Sequence, residues 1–192
     1  MIFNSTPSGS EAGKPLAFNW VTIAFVLTIH VLALLSFWFF SWPALGLMLF
    51  LHWLMGSLGI CLGYHRLLSH RSLRVPKAIE YCFATLGALA LQGSPISWVS
   101  AHRLHHAHTE DTERDPYSAK RGFWWSHMFW MFYRRPQFFD YKFYKRYAPD
   151  LHRQAFYRWL DRYHFLLQIP FGVGLYLLGG WSFIIYGSMP LK

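Results

Sequence analysis

Apolar residues in this chain form long uninterrupted runs, and the charged residues gather in blocks between them. Asn19–Phe40 contains no charged residue, and at 22 residues it is long enough to cross a bilayer core of ~30 Å as a helix. A secretory leader would show an apolar stretch of only ~7–15 residues behind a basic start. This run is longer and lacks a basic flank, so it reads as a retained anchor. Ser41-Trp42-Pro43 predicts a tight turn, and Ala44–Tyr64 predicts a second span that closes a hairpin. Pro76–Val99 is moderately apolar but carries Lys77, Glu80, Gln92 and Pro95, which favours a helix lying in the interface over a third crossing. A last apolar stretch covers about 165–190. Met1–Pro15, rich in Ser, Gly and Pro, reads as a disordered tail, leaving one domain over 16–192. The pattern predicts an all-α membrane protein: a transmembrane helical hairpin (spans about 19–40 and 44–64) with a helical cap, and a further span over about 165–190.

Composition supports that class. The chain is 54% apolar and 14% charged, against ~25% charged in an average soluble domain. A net charge of +9 invites a nucleic-acid reading. The distribution argues against it, since 16 of the 18 Lys and Arg lie between His65 and Arg162 and alternate with aromatic runs. That arrangement suits anionic lipid headgroups, and it places the cap in the cytoplasm by the positive-inside rule. Cys61 and Cys82 form no disulfide framework.

Of the 11 histidines, most fall in two short clusters: His65-Arg-Leu-Leu-Ser-His70, directly after the second span, and His102-Arg-Leu-His105-His106-Ala-His108. On a helix His102, His105 and His106 share a face. His65 and His70 diverge by ~140° at 3.6 residues per turn, and converge only where the helix ends or bends. Neutral imidazoles suit Fe, Cu, Ni or Zn. Desolvating so many polar rings is costly unless something binds them. The Glu of a His-Glu-x-x-His zinc protease is absent from both clusters. A haem would need His30 and His52 facing each other. These two, with His127, His152 and His164, read as ordinary interface residues.

The string from His65 to His70, then His102-Arg103-Leu104-His105-His106, then Asp115-Pro116 and Arg121-Gly-Phe-Trp-Trp-Ser-His127, resembles the integral-membrane Δ9-type fatty-acid desaturases, a family that includes stearoyl-CoA and bacterial acyl-lipid enzymes. The resemblance runs from about Trp20 to the last residues. It implies a four-span helical fold whose cytoplasmic cap holds two irons. His65, His70, His102 and His106 would serve one iron and His105 the other; His108 matches no usual ligand. Gln92 and Trp98 would adjoin the bend of the acyl tunnel. The implied activity is O2-dependent introduction of a double bond into a fatty acyl chain. Iron carries the hard step and the protein places the substrate. With no Gly-x-Gly-x-x-Gly and no Cys cluster in the sequence, the electrons are expected from a separate electron-transfer protein.

Two features depart from the pattern. The family's third box, His-x-x-His-His, is absent and the last histidine is His164, so the chain reads as a desaturase fold that stops before that box. The second iron is then left with few ligands, and activity is expected to be partial or lost. Animal acyl-CoA members carry an Arg-Asp pair before the second box, where this chain has Ser100 and Ala101. That leaves acyl-lipid or carrier-protein esters open as substrates beside acyl-CoA. A related membrane di-iron hydroxylase and a non-catalytic protein that binds metal or a partner are the alternatives.

Overall fold

The computed structural model describes residues 17–109, 111–135, 138 and 140–188. The expected tail over 1–15 and the end of the 165–190 stretch lie outside the described residues. The described chain is helical, and a lone β-bridge joins Phe18 to Tyr133.

Helix α1 (Trp20–Ala33) continues as a 3-10 turn over Leu34–Phe37. No residue of either is buried. An apolar surface of that length is stable against hydrocarbon, not water. Helix α2 (Trp42–Trp53) follows the bend and packs on the last helical stretch of the chain. The hairpin bend falls just before the place expected: Ser41 is the N-cap, its Oγ accepting the Ala44 N–H (3.2 Å), and Pro43 sits in the first turn of α2. Proline is well tolerated there because its missing N–H would have had no partner.

Beyond Trp53 the helix widens into a π segment, Leu54–Ser69. Together the two parts make a 28-residue apolar helix. Since ~20 residues cross a bilayer, the last turns, with His65 and Arg66, protrude from it. Among the described residues three helical stretches are long and apolar enough to cross a membrane: Trp20–Phe37, Trp42–Ser69 and Ala155–Gly187. The protein is a membrane protein.

The expected single interfacial helix over Pro76–Val99 is two helices, α3 (Lys77–Leu89) and α4 (Pro95–Ala107). Between them Leu91 (φ 57°) and Gly93 (φ 103°) adopt left-handed conformations that reverse the chain. Ser94 then caps α4, accepting the Ser97 N–H (3.1 Å) and donating to Asp161. Neither helix is a candidate span. Helix α3 packs on the π segment at contact distance, because a Cβ on Gly59 would lie 2.5 Å from the Gly87 nitrogen. Ile60, Tyr64, Ala84, Val99, Tyr157 and Leu160 are among the buried residues of the core that results.

Short helices α5 (Phe123–His127), α6 (Tyr141–Tyr147) and α7 (Pro149–His152) complete the cap. The chain entering α1 is tied to that cap by Asn19 N–H donating to Phe132 O and Arg134 N–H to Ala17 O, both at 2.7 Å. Helix α8 (Ala155–Tyr163) leads through a 3-10 turn (His164–Leu167) into α9 (Gln168–Gly187). Helix α9 is broken at Gly179–Gly180, where Gly180 has φ 64°. After the break the chain doubles back, so that Gly187 lies against Leu175.

Candidate metal centre

The wide winding of the π segment places the first pair of histidines. Its hydrogen bonds run from residue i to i+5, which brings residues five apart onto one side. The His70 N–H donates to the His65 carbonyl at 3.1 Å, and the two Nε2 atoms approach to 3.0 Å. The divergence expected of an ordinary α-helix is thereby removed. Helix α4 brings the second pair: His102 Nε2 lies 3.2 Å from His70 Nε2 and 3.1 Å from His106 Nε2. Ligand atoms of His65, His70, His102 and His106 all fall within 4.8 Å of one another.

This donor set fits a transition metal. Metal–imidazole bonds of ~2.0–2.1 Å put donor atoms ~2.9 Å apart at right angles and ~3.3 Å apart at tetrahedral angles. The observed 3.0–3.2 Å contacts fall in that range. The rings meet edge-on, at 87° for His65 and His70 and 83° for His70 and His106, as rings arranged about one point do. Hydrogen bonding alone does not account for the cluster. A ring nitrogen carries either one proton or one lone pair, so no tautomer assignment makes all three contacts well-directed hydrogen bonds. Burial first, then the neighbouring histidines, lowers the pKa of His102 from 6.5 to about 3, and His106 is lowered by the same two causes. Both rings are therefore neutral at pH 7, with their lone pairs available.

His105 is not one of the four converging donors, although its ring centroid is 5.4 Å from that of His106 and 6.1 Å from that of His102. Its Nδ1 faces Asp115 Oδ2 at 2.9 Å, and its ring stacks on Tyr117 at 4.5 Å. Asp115 is fully buried, and its other oxygen accepts the Tyr117 N–H (3.2 Å). A carboxylate on one ring nitrogen fixes the tautomer and turns Nε2 outward as a ligand. Burial, then the charge of Asp115, raises the Tyr117 pKa, keeping the phenol protonated. His108 caps the end of α4 and is not in the cluster.

Trp98 stacks on His102 with centroids 4.9 Å apart and also touches Tyr64 and His65. Gln92 stands elsewhere, lining a cavity of about 70 Å³ with Met48, Leu51, Leu89 and Phe171, between α2, the α3–α4 break and α9. Tyr64 links the two places, its hydroxyl donating to Gly93 O at 3.4 Å. Three residues of the site carry no sign in the spacing of the histidines: Asp115, Arg103 and Asp150. Asp115 was legible only as part of the Asp-Pro motif, and Asp150 had no signal at all.

Comparison with known proteins gives the family. The family described as "Fatty acid desaturase" matches residues 40–190. The sn-2 palmitoyl-lipid 9-desaturase of Nostoc sp. (strain 36) is 66% identical over 187 residues, covering 97% of this chain and 66% of that protein. The sn-1 stearoyl-lipid 9-desaturase of Anabaena variabilis is 45% identical, covering 88% of this chain and 61% of its own length. Acyl-CoA 5-desaturase AL21 of Anemone leveillei is also 45% identical, over 83% of this chain and 49% of its own length. The chain thus spans between about half and two thirds of these curated relatives.

Proposed function

This chain belongs to the fatty acid desaturase family, and we propose that it acts in O2-dependent introduction of a Δ9 double bond into the acyl chain of a membrane lipid. The observation that carries this reading is the convergence of four imidazoles from two separated segments. In it, His65, His70, His102 and His106 hold one iron, and His105 contributes to a second. Bound iron supplies, with dioxygen, the oxidising power that removal of hydrogen from an unactivated methylene requires.

The remaining residues bind, orient and exclude water. Trp98 covers one face of His102, and with Gln92 it borders the path of the acyl chain. Asp115 and Tyr117 fix the His105 ring. A lipid carrier is favoured over acyl-CoA because Ser100, where animal acyl-CoA members carry a charged residue, is fully buried and faces no solvent. The cap faces the cytoplasm, as its excess of Lys and Arg argues. There a separate electron-transfer protein delivers electrons.

The test is product analysis. The full chain is produced in a bacterial host whose lipids lack Δ9 double bonds, and the acyl chains are examined by mass spectrometry. Δ9-monounsaturated chains in the lipids, absent with His102→Ala, are expected. Hydroxylated chains would identify a hydroxylase instead. Unchanged lipids in cells containing the iron-loaded protein would leave a binding role alone.

A further inference from the structure

Arg103 lies inside the second box, between His102 and His105, yet its side chain reaches the first. Its Nε donates to Ser69 O (3.2 Å) and Nη2 to Leu68 O (2.6 Å), the last carbonyls of the helix that carries His65. Nη1 donates to Tyr147 O (2.9 Å), at the end of α6. The fork closes on Asp150, with Nη1 to Oδ1 at 2.7 Å and Nη2 to Oδ2 at 3.1 Å. A guanidinium has five N–H donors, and here each has an acceptor. Helix C-termini present unpaired carbonyls and partial negative charge. One cation thus closes two helix ends and joins them to the segment that carries the second box.

Asp150 also binds Arg71 (2.8 Å), the residue that follows His70. Arg71 has φ 52°, a left-handed conformation that is unfavourable for a non-glycine residue. The chain is therefore held by the same carboxylate where it leaves the first box.

We infer that Arg103 is a positioning residue that sets the first histidine pair against the second, with Asp150 anchoring its guanidinium. The inference rests on the metal-binding reading of the four-histidine cluster. Lysine cannot replace it, having three donors at one point instead of a planar fork.

The experiment titrates the purified 192-residue chain in detergent with Co(II) and records its visible spectrum, whose intensity reports coordination number. Unaltered protein is expected to bind Co(II) through its imidazoles. Arg103→Lys and Asp150→Asn are expected to bind about 10–100-fold more weakly, as loss of a partner that orients ligands commonly does, with an altered spectrum. Asp150→Glu is expected to restore both. Unchanged affinity and spectrum in Arg103→Lys and Asp150→Asn would overturn the inference. No Co(II) binding by the unaltered protein would overturn the metal reading as well, so the two failures are distinguishable. Should Arg103→Lys not fold, the Asp150→Asn and Asp150→Glu pair decides, since Asn keeps the shape of Asp and Glu keeps its charge.

Discussion

His102 is the ring through which the cluster is joined, since its Nε2 meets those of both His70 and His106. Its pKa of about 3 has a measurable consequence. Because the folded value lies below the ordinary 6.5, the unfolded chain takes up protons first. The metal-free fold is therefore most stable above pH 6.5 and weakens as pH falls from 6.5 towards about 3. Protons compete for this ring only in acid, so bound Co(II) is expected to be released with a midpoint well below pH 6.5. A pH titration of the visible spectrum checks this, and a midpoint at or above 6.5 would contradict it. Ligand identity is checked by single substitutions. His65→Ala, His70→Ala, His102→Ala and His106→Ala should each weaken Co(II) binding at least 10-fold, and His105→Ala should leave that site's affinity nearly unchanged. At this scale the second box was legible, because i, i+3 and i+4 spacing survives in α4. The first was legible as a histidine pair that converges only at a helix end or bend; the π winding that brings His65 and His70 together leaves no mark in the spacing.

The elements meet more closely than apolar pattern alone reveals. Gly59 and Gly87 let the π segment and α3 touch backbone to backbone. A methyl on Gly59 would lie 2.5 Å from the Gly87 nitrogen and would force the two apart. Gly59→Ala is expected to destabilise the protein by about 1–3 kcal/mol, read as a lowered thermal midpoint in detergent. Gly46→Ala, with open space around it, should cost nothing by this route. An equal loss at both positions would refute the close packing. The α3–α4 break was readable in part, since Gly93-Ser94-Pro95 carries a left-handed glycine, an N-cap and a proline suited to the first turn. Its moderate hydrophobicity instead suggested one continuous segment. The contact between Arg103 and Asp150 spans 47 positions, and no local pattern announces such a pair.

For the whole molecule, the two boxes meeting within 3.2 Å requires that both leave the membrane on one side. The interfacial choice for Pro76–Val99 pointed the same way, because a crossing there would have separated the boxes. On the reading advanced here that side is the cytoplasm. Cysteines placed at Arg74 and Lys145, in a chain with Cys61 and Cys82 replaced by Ser, should react with an impermeant thiol reagent only from the cytoplasmic face. One at Trp38, in the hairpin bend, should react only from the other. Labelling of Arg74→Cys and Lys145→Cys from opposite faces would break the proposed topology. The most direct test of the account is X-ray absorption on the full chain loaded with Fe(II) in detergent. It should show iron surrounded by imidazole nitrogens at a single-shell distance, with that signal lost in the His70→Ala/His102→Ala double variant. Iron bound equally well by the double variant, or iron without imidazole scattering, would contradict the claim that two separated histidine pairs form one metal site.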